Sequence, residues 1–187
     1  MIADNAALSC GYSAVAPVPR YPEQVTNAPR LTHVDAQGAA RMVDVTAKAV
    51  TERRAVAAGR LSTTPDVIAL LRGDGLPKGD ALAVARIAGI MGAKRTPDLV
   101  PLCHPIGLHG VTVDLSITDT GVDITATTRT ADRTGVEMEA LTAVALTGLT
   151  LIDMIKAVDP AASIESVRVL RKDGGKTGEW LRPADRP

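Results

Sequence analysis

Asp153 and Lys156 stand at i, i+3 in the segment GVEMEALTAVALTGLTLIDMIKAV, residues 135–158, so on a helix they share one face. A surface ion pair is the commonest reason for that spacing. Here, however, Leu149, Leu151, Ile152, Met154, Ile155 and Val158 surround the pair. A partly buried Lys gives up its charge and a partly buried Asp takes on a proton more readily than in water, which suits both to general acid–base work. Glu137 and Glu139 fall in the first turn of the same segment. There the helix dipole favours carboxylates, and stabilisation of the helix is a sufficient account of them. Glu139 and Asp153 lie ~21 Å apart along an unbroken helix rising ~1.5 Å per residue. If both act on one small substrate, the helix start of one subunit must meet the helix end of another, which predicts a dimer or a larger assembly.

Three other stretches carry reactive side chains. In LVPLCHPIGLH, residues 99–109, Cys103 and His104 sit between Pro101 and Pro105, which stiffen the loop. Neighbouring residues in an extended segment point to opposite sides, so a direct Cys–His nucleophile pair is not expected. His104 reads either as a structural histidine or as a rigidly presented acid or base. The His and Cys spacing fits no zinc motif, and no metal site is expected. LPKGDALAVARI places Lys78 just before a helix start whose free N–H groups favour anions, although an exposed Lys beside an Asp cap explains it as well. GGKTG, residues 174–178, is no Walker A loop, because Leu170 stands where the first Gly is required.

Composition narrows the function classes. With 21 basic and 21 acidic residues, no global field draws the chain to nucleic acid or a membrane surface, and any anion site must be local. There is no Phe; the only Trp is Trp180, and Tyr12 and Tyr21 lie near the start. A single-strand binder would want aromatic stacking platforms. Cys10 and Cys103 form no disulfide framework and favour a reducing cytosol. The opening residues carry Asp4 where a secretory leader needs a basic residue, so a cytoplasmic location is expected.

The elements that must hold these groups begin near Leu31. Residues 1–30, with Pro17, Pro19, Pro22 and Pro29, read as a flexible extension, 31–180 as the folded domain, and 181–187 as a flexible tail. Residues 42–46 and 53–61 look extended. Residues 64–73 form a short helix capped by Thr64 with Pro65 at its first position, and 78–95 a longer Ala-rich one. VTVDLSI (111–117) alternates apolar and polar residues as a half-buried strand does, DTG supplies a turn, and VDITATTRT (122–130) returns. The long helix and a last strand at 163–172 follow. From Arg53 the order, with the short helix set aside, is βαββαβ, an α+β ferredoxin-like fold with an antiparallel sheet and helices on one face.

Taken in order, LTHVDAQGAARMVDVTAK, KGDALAVARIAGIMGAKRTPDLVPLCHP, TGVEMEAL, IDMIKAV and GGKTG resemble the MoaC family of molybdenum cofactor biosynthesis over about residues 31–180. The resemblance implies a lyase that converts 3′,8-cyclo-7,8-dihydroguanosine triphosphate to cyclic pyranopterin monophosphate and releases pyrophosphate. It also implies a ferredoxin-like fold and a homohexamer, a trimer of dimers with sites at subunit interfaces. The family's catalytic Asp and Lys fall on Asp153 and Lys156, with Lys78 and His104 completing the catalytic set. Leu102, Cys103, His104, Met138 and Glu139 fall on substrate-contacting positions. Glu137, Arg53 and Lys48 join them as binding candidates. No resident cofactor is expected, and any Mg2+ would accompany the substrate triphosphate. Two departures stand out: residues 130–134 read TADRT where relatives often have Thr-Gly-Lys-Thr, and Ile152 replaces a Tyr often found before the Asp. The rival reading is a non-enzymatic ferredoxin-like module that binds a small anionic ligand.

Overall fold

The computed structural model describes residues 32–35, 37–73, 80–176 and 178–183. The expected extension at 1–30, Lys78 and the last four residues lie outside them. Nine elements follow in order: β1 (Thr51–Ser62), α1 (Pro65–Arg72), α2 (Ala81–Lys94), α3 (Thr96–Leu99), β2 (Gly110–Ile117), β3 (Gly121–Asp132), α4 (Glu137–Ile155), β4 (Ser163–Asp173) and β5 (Trp180–Leu181). The strands form one antiparallel sheet in the order β2-β3-β1-β4-β5. The expected βαββαβ skeleton is therefore present, with β5 added at one edge.

The period-two pattern of the strands decides which face carries the helices. Ala55, Ala57 and Leu61 on β1, and Val122, Ile124 and Ala126 on β3, are fully buried, while their neighbours in sequence turn to the other face. α4 lies over β1, β3 and β4, and α2 packs beside it over β2. Leu61, Ile124, Leu151 and Ile155 are the largest buried side chains of this layer. Each stabilises the fold by ~1.5–3 kcal/mol relative to an exposed position. Truncating Leu151 to Ala would cost ~2–5 kcal/mol.

Small residues set the distance between the two long helices. A Cβ at Gly89 of α2 would collide with the Thr147 hydroxyl on α4, and one at Gly92 would meet Leu146 at 2.9 Å. The Ala- and Gly-rich run of α2 is thus what lets the backbones approach. By its length of 19 residues and a mean hydropathy of 1.6 over an 18-residue stretch, α4 could cross a bilayer, but half of that stretch is buried inside the protein.

The caps are partly as the sequence indicates. Asp80 caps α2, its carboxylate accepting the Ala83 N–H at 2.9 Å. Thr64 holds the N-cap position of α1, but its side chain makes no capping bond. Asp159 takes that place from beyond the end of α4, accepting from the Thr63 hydroxyl at 2.7 Å and the Thr64 N–H at 3.2 Å. The Thr63 hydroxyl holds the Asp159 carboxyl below its ordinary range. Residues 42–46, expected to be extended, pair with no strand and run as a loop along the domain. α3 was not anticipated, being a single turn with no periodicity to read.

Candidate active site

A cavity of about 360 Å3 opens at the start of α4. Three segments build its walls: the loop at 43–48, the stiff loop at 102–106 and the helix entry at 134–139. Leu102, Cys103, His104, Glu137, Met138, Glu139 and Lys48, all singled out from the sequence, line it together. Thr32 and His33 complete the rim.

Glu139 is the most perturbed group there. It is 2% exposed, and its Oε2 has no hydrogen-bond partner. Burial penalises the charged form and, with a smaller push from Glu137, lifts its carboxyl to about 7, against an opposing backbone hydrogen bond. At neutral pH the acid and the carboxylate are both populated, so this group can give or take a proton. Cys103 shares the pocket; burial and then the Glu139 charge push its thiol up, so it remains protonated. That environment disfavours a thiolate nucleophile, in line with the extended-loop argument.

His104 is held by the loop that forms the facing wall. Its Nε2–H donates to the Val43 carbonyl at 2.7 Å, which fixes the tautomer and leaves Nδ1 as an acceptor. The 42–46 loop thus serves as an orienting wall rather than as a strand. His33 uses its Nδ1–H toward the Arg41 carbonyl at 3.2 Å, pinning the same loop further back.

Cations flank the rim. Arg133 donates from Nε to the Lys48 carbonyl at 3.0 Å and so fixes the backbone that presents Lys48. This contact lies within TADRT, where the chain departs from its relatives, and gives Arg133 a positioning task. Lys172 on β4 reaches Glu137 with Nζ at 3.1 Å. It was missed by sequence reasoning because only the fold brings β4 to the start of α4; the alternation of β4 would have shown which face Lys172 occupies, but not its neighbour. Arg53 does not line the cavity. Its guanidinium donates to the carbonyls of Asp132 at 3.4 Å and Arg133 at 3.5 Å and lies under the turn at Gly174 and Gly175. Gly174 has φ +95°, and a Cβ there would collide with the Glu52 backbone carbonyl, so the glycine lets the turn pass.

Asp153 and Lys156 lie at the other end of α4. Lys156 Nζ meets Asp153 Oδ1 at 2.8 Å, with the two side chains 61% and 59% exposed. Within one chain the structure does not bring them to the cavity. The helix between is continuous from Glu137 to Ile155, so the separation expected from the sequence stands. Lys78 lies outside the described residues. Among the described residues no group of three or more His, Cys, Asp or Glu side chains is placed to hold a metal ion.

Comparison with known proteins bears directly on these residues. The MoaC family matches residues 42–175. The cyclic pyranopterin monophosphate synthase of Streptomyces coelicolor is 66% identical over 153 residues, 82% of this chain and 90% of the relative. That of Streptomyces avermitilis is 65% identical over the same length, with the same coverage. Cyclic pyranopterin monophosphate synthase 2 of Mycobacterium tuberculosis is 62% identical over 152 residues, 81% of this chain and 91% of the relative. The match takes in both loops of the cavity and the whole of α4, and this chain belongs to the MoaC family.

Proposed function

We infer that this chain is a cyclic pyranopterin monophosphate synthase, a lyase of molybdenum cofactor biosynthesis. It takes a small GTP-derived substrate, 3′,8-cyclo-7,8-dihydroguanosine triphosphate, and yields cyclic pyranopterin monophosphate and pyrophosphate. The observation that carries the reading is a buried carboxyl poised near neutrality in a cavity whose lining, apart from Thr32 and His33 on the rim, falls within the family match. The reaction opens the imidazole part of the purine, rebuilds a pterin ring and closes a cyclic phosphate, and each step moves protons. A passive anion-binding module has no use for a buried acid that titrates at the working pH.

The family resemblance, together with the environments of the cavity residues, supports the following roles. Asp153 and Lys156 carry general acid–base steps at the reacting bonds, and Lys78 acts with them by offsetting the charge of the triphosphate and the departing pyrophosphate. Glu139 and the Nδ1 of His104 orient the base or sugar and relay protons. Leu102, Met138 and the protonated Cys103 provide the apolar wall. Lys48 faces the triphosphate, Glu137 holds Lys172 beside it, and Arg53 supports the 174–175 turn. Any Mg2+ enters with the triphosphate.

Because Asp153 and Glu139 occupy opposite ends of one straight helix, a complete site takes one end from each of two chains. The assembly is a homohexamer built as a trimer of dimers, and it works in the cytoplasm. Anaerobic incubation of the purified protein with the cyclic triphosphate tests the reading: pyrophosphate and cyclic pyranopterin should appear together. Substrate binding without either product would favour the binding-module alternative, and no binding would reject both.

A further inference from the structure

A second concavity, of about 710 Å3, lies where the ends of β1, β2 and β3 meet, on the sheet face that the helices leave open. Ala55 and Ala57 point to the helices, so Arg54, the residue before Ala55 in the alternation, points away. Arg129 is its direct partner on β3, flanked by the buried Thr128 and Thr130, and therefore shares that open face. Two guanidinium groups directly across an antiparallel pair repel each other. The remainder of the same face avoids this: Arg60, three pairs further along, is matched to Asp123 and bonded to the hydroxyls of Thr118 and Thr120. Among the described residues no carboxylate lies within ion-pair distance of Arg54 or Arg129. The Nε of Arg54 is buried without any hydrogen-bond partner.

A third donor is fixed nearby. The His109 N–H donates to the Arg129 carbonyl at 2.9 Å, and its Nδ1 accepts the Ala131 N–H at 3.2 Å. The ring proton is thus on Nε2, the nitrogen left for a ligand in the concavity. Glu52 is the single carboxylate of the lining, and His109 is its one aromatic side chain, with no Phe, Tyr or Trp beside it.

We propose that this concavity is a second anion site, separate from the cavity at the start of α4, that takes a free polyphosphate of the pyrophosphate class between Arg54 and Arg129 with His109 as a further donor. Two forked guanidiniums suit an anion with several oxygens on adjacent phosphorus atoms, and the anion converts their mutual repulsion into attraction. With the His109 ring held by the Ala131 N–H at Nδ1 and presenting Nε2–H, and with no Phe, Tyr or Trp platform in the lining, the free polyphosphate is favoured over a nucleotide. The proposal holds whether or not the synthase reading does, since it uses none of the residues assigned to that reaction.

Calorimetric titration of the full chain with inorganic pyrophosphate, repeated on the R54Q/R129Q double variant, tests it. The double variant should bind one fewer pyrophosphate per chain than the wild type, and GTP should bind this site no more tightly than pyrophosphate does. Wild-type stoichiometry and affinity in the double variant would overturn the proposal; a site that prefers GTP by tenfold or more would overturn its ligand class. If the double variant loses its far-UV circular dichroism, R54Q alone decides: one binding event should weaken at least tenfold, and an unchanged isotherm would overturn the proposal.

Discussion

The two ends of α4 are built from similar charges in opposite settings. At the start, Glu139 is enclosed by loops of its own chain, has lost water from one oxygen and titrates near neutrality. At the end, Asp153 and Lys156 hold each other in an ion pair more than half open to solvent. A carboxyl is perturbed by its walls rather than by its helix, so the start of α4 is a site already furnished, whereas among the described residues the end stands open to solvent. Apolar residues crowd the open end: Leu149 and Val158 are both exposed beside the pair. A second chain seated there would supply the walls and raise the cost of charge, which is what acid–base chemistry needs.

The sharpest way to break this contrast is to remove the open pair. Asp153→Ala or Lys156→Ala should lower turnover by at least ~100-fold. Because an exposed pair contributes only ~0–1 kcal/mol, Tm should move by no more than about 4 °C. Near-normal product formation in either variant would end the acid–base assignment. Mixing Glu139→Gln chains with Asp153→Asn chains comes next: hybrid dimers regain one intact site, so activity should reappear on subunit exchange. Confirmed exchange with no recovery would show that the two ends do not share a substrate.

A pH experiment probes the enclosed end. The folded-state value of Glu139, about 7, lies above its ordinary value of 4.5, so the native state holds the extra proton between the two. Its stabilising effect is full below the lower value and is lost as pH rises through the higher one. Thermal melts should therefore show wild-type Tm falling from pH 5 to pH 8 more steeply than that of Glu139→Gln, which keeps the shape without the titration. Parallel curves would show that the burial is illusory in solution. Glu137→Gln is a milder change: with one repelling charge gone, the Glu139 midpoint should drift downward in a carboxyl-resolved NMR titration, and an upward drift would contradict the stated cause. The smallest effect belongs to a double-mutant cycle on Asp153 and Lys156 in the isolated chain, where the coupling should not exceed ~1 kcal/mol.

How much of this was legible beforehand depended on whether a residue's neighbours were local. The hairpin of β2 and β3 and the long α4 were readable because alternation and helical spacing are written into consecutive residues. The extended look of 42–46 misled in one respect: Val43 and Val45 alternate like a strand, yet their use is to line a cavity and offer a carbonyl to His104. Nothing local distinguishes those tasks. Thr64 does hold the N-cap position, but its side chain makes no capping bond, and its backbone N–H donates instead to Asp159, 95 positions away along the chain. Lys172 was invisible for the same reason, since its partner Glu137 belongs to another element. The ~21 Å between Glu139 and Asp153, by contrast, needed only the helical rise, and so the two-chain site could be argued before any contact was seen.

The close seam of Gly89 and Gly92 against Thr147 and Leu146 has a further consequence for heredity. With α2 lodged against it, α4 cannot slip along its axis to absorb an altered length. One residue inserted after Leu146 would turn Asp153 by ~100° about the helix relative to Glu139. The segment between them should accept side-chain exchanges far more readily than any change in the number of its residues, so the reading frame of this helix works as a gauge of the angle between its two charged ends.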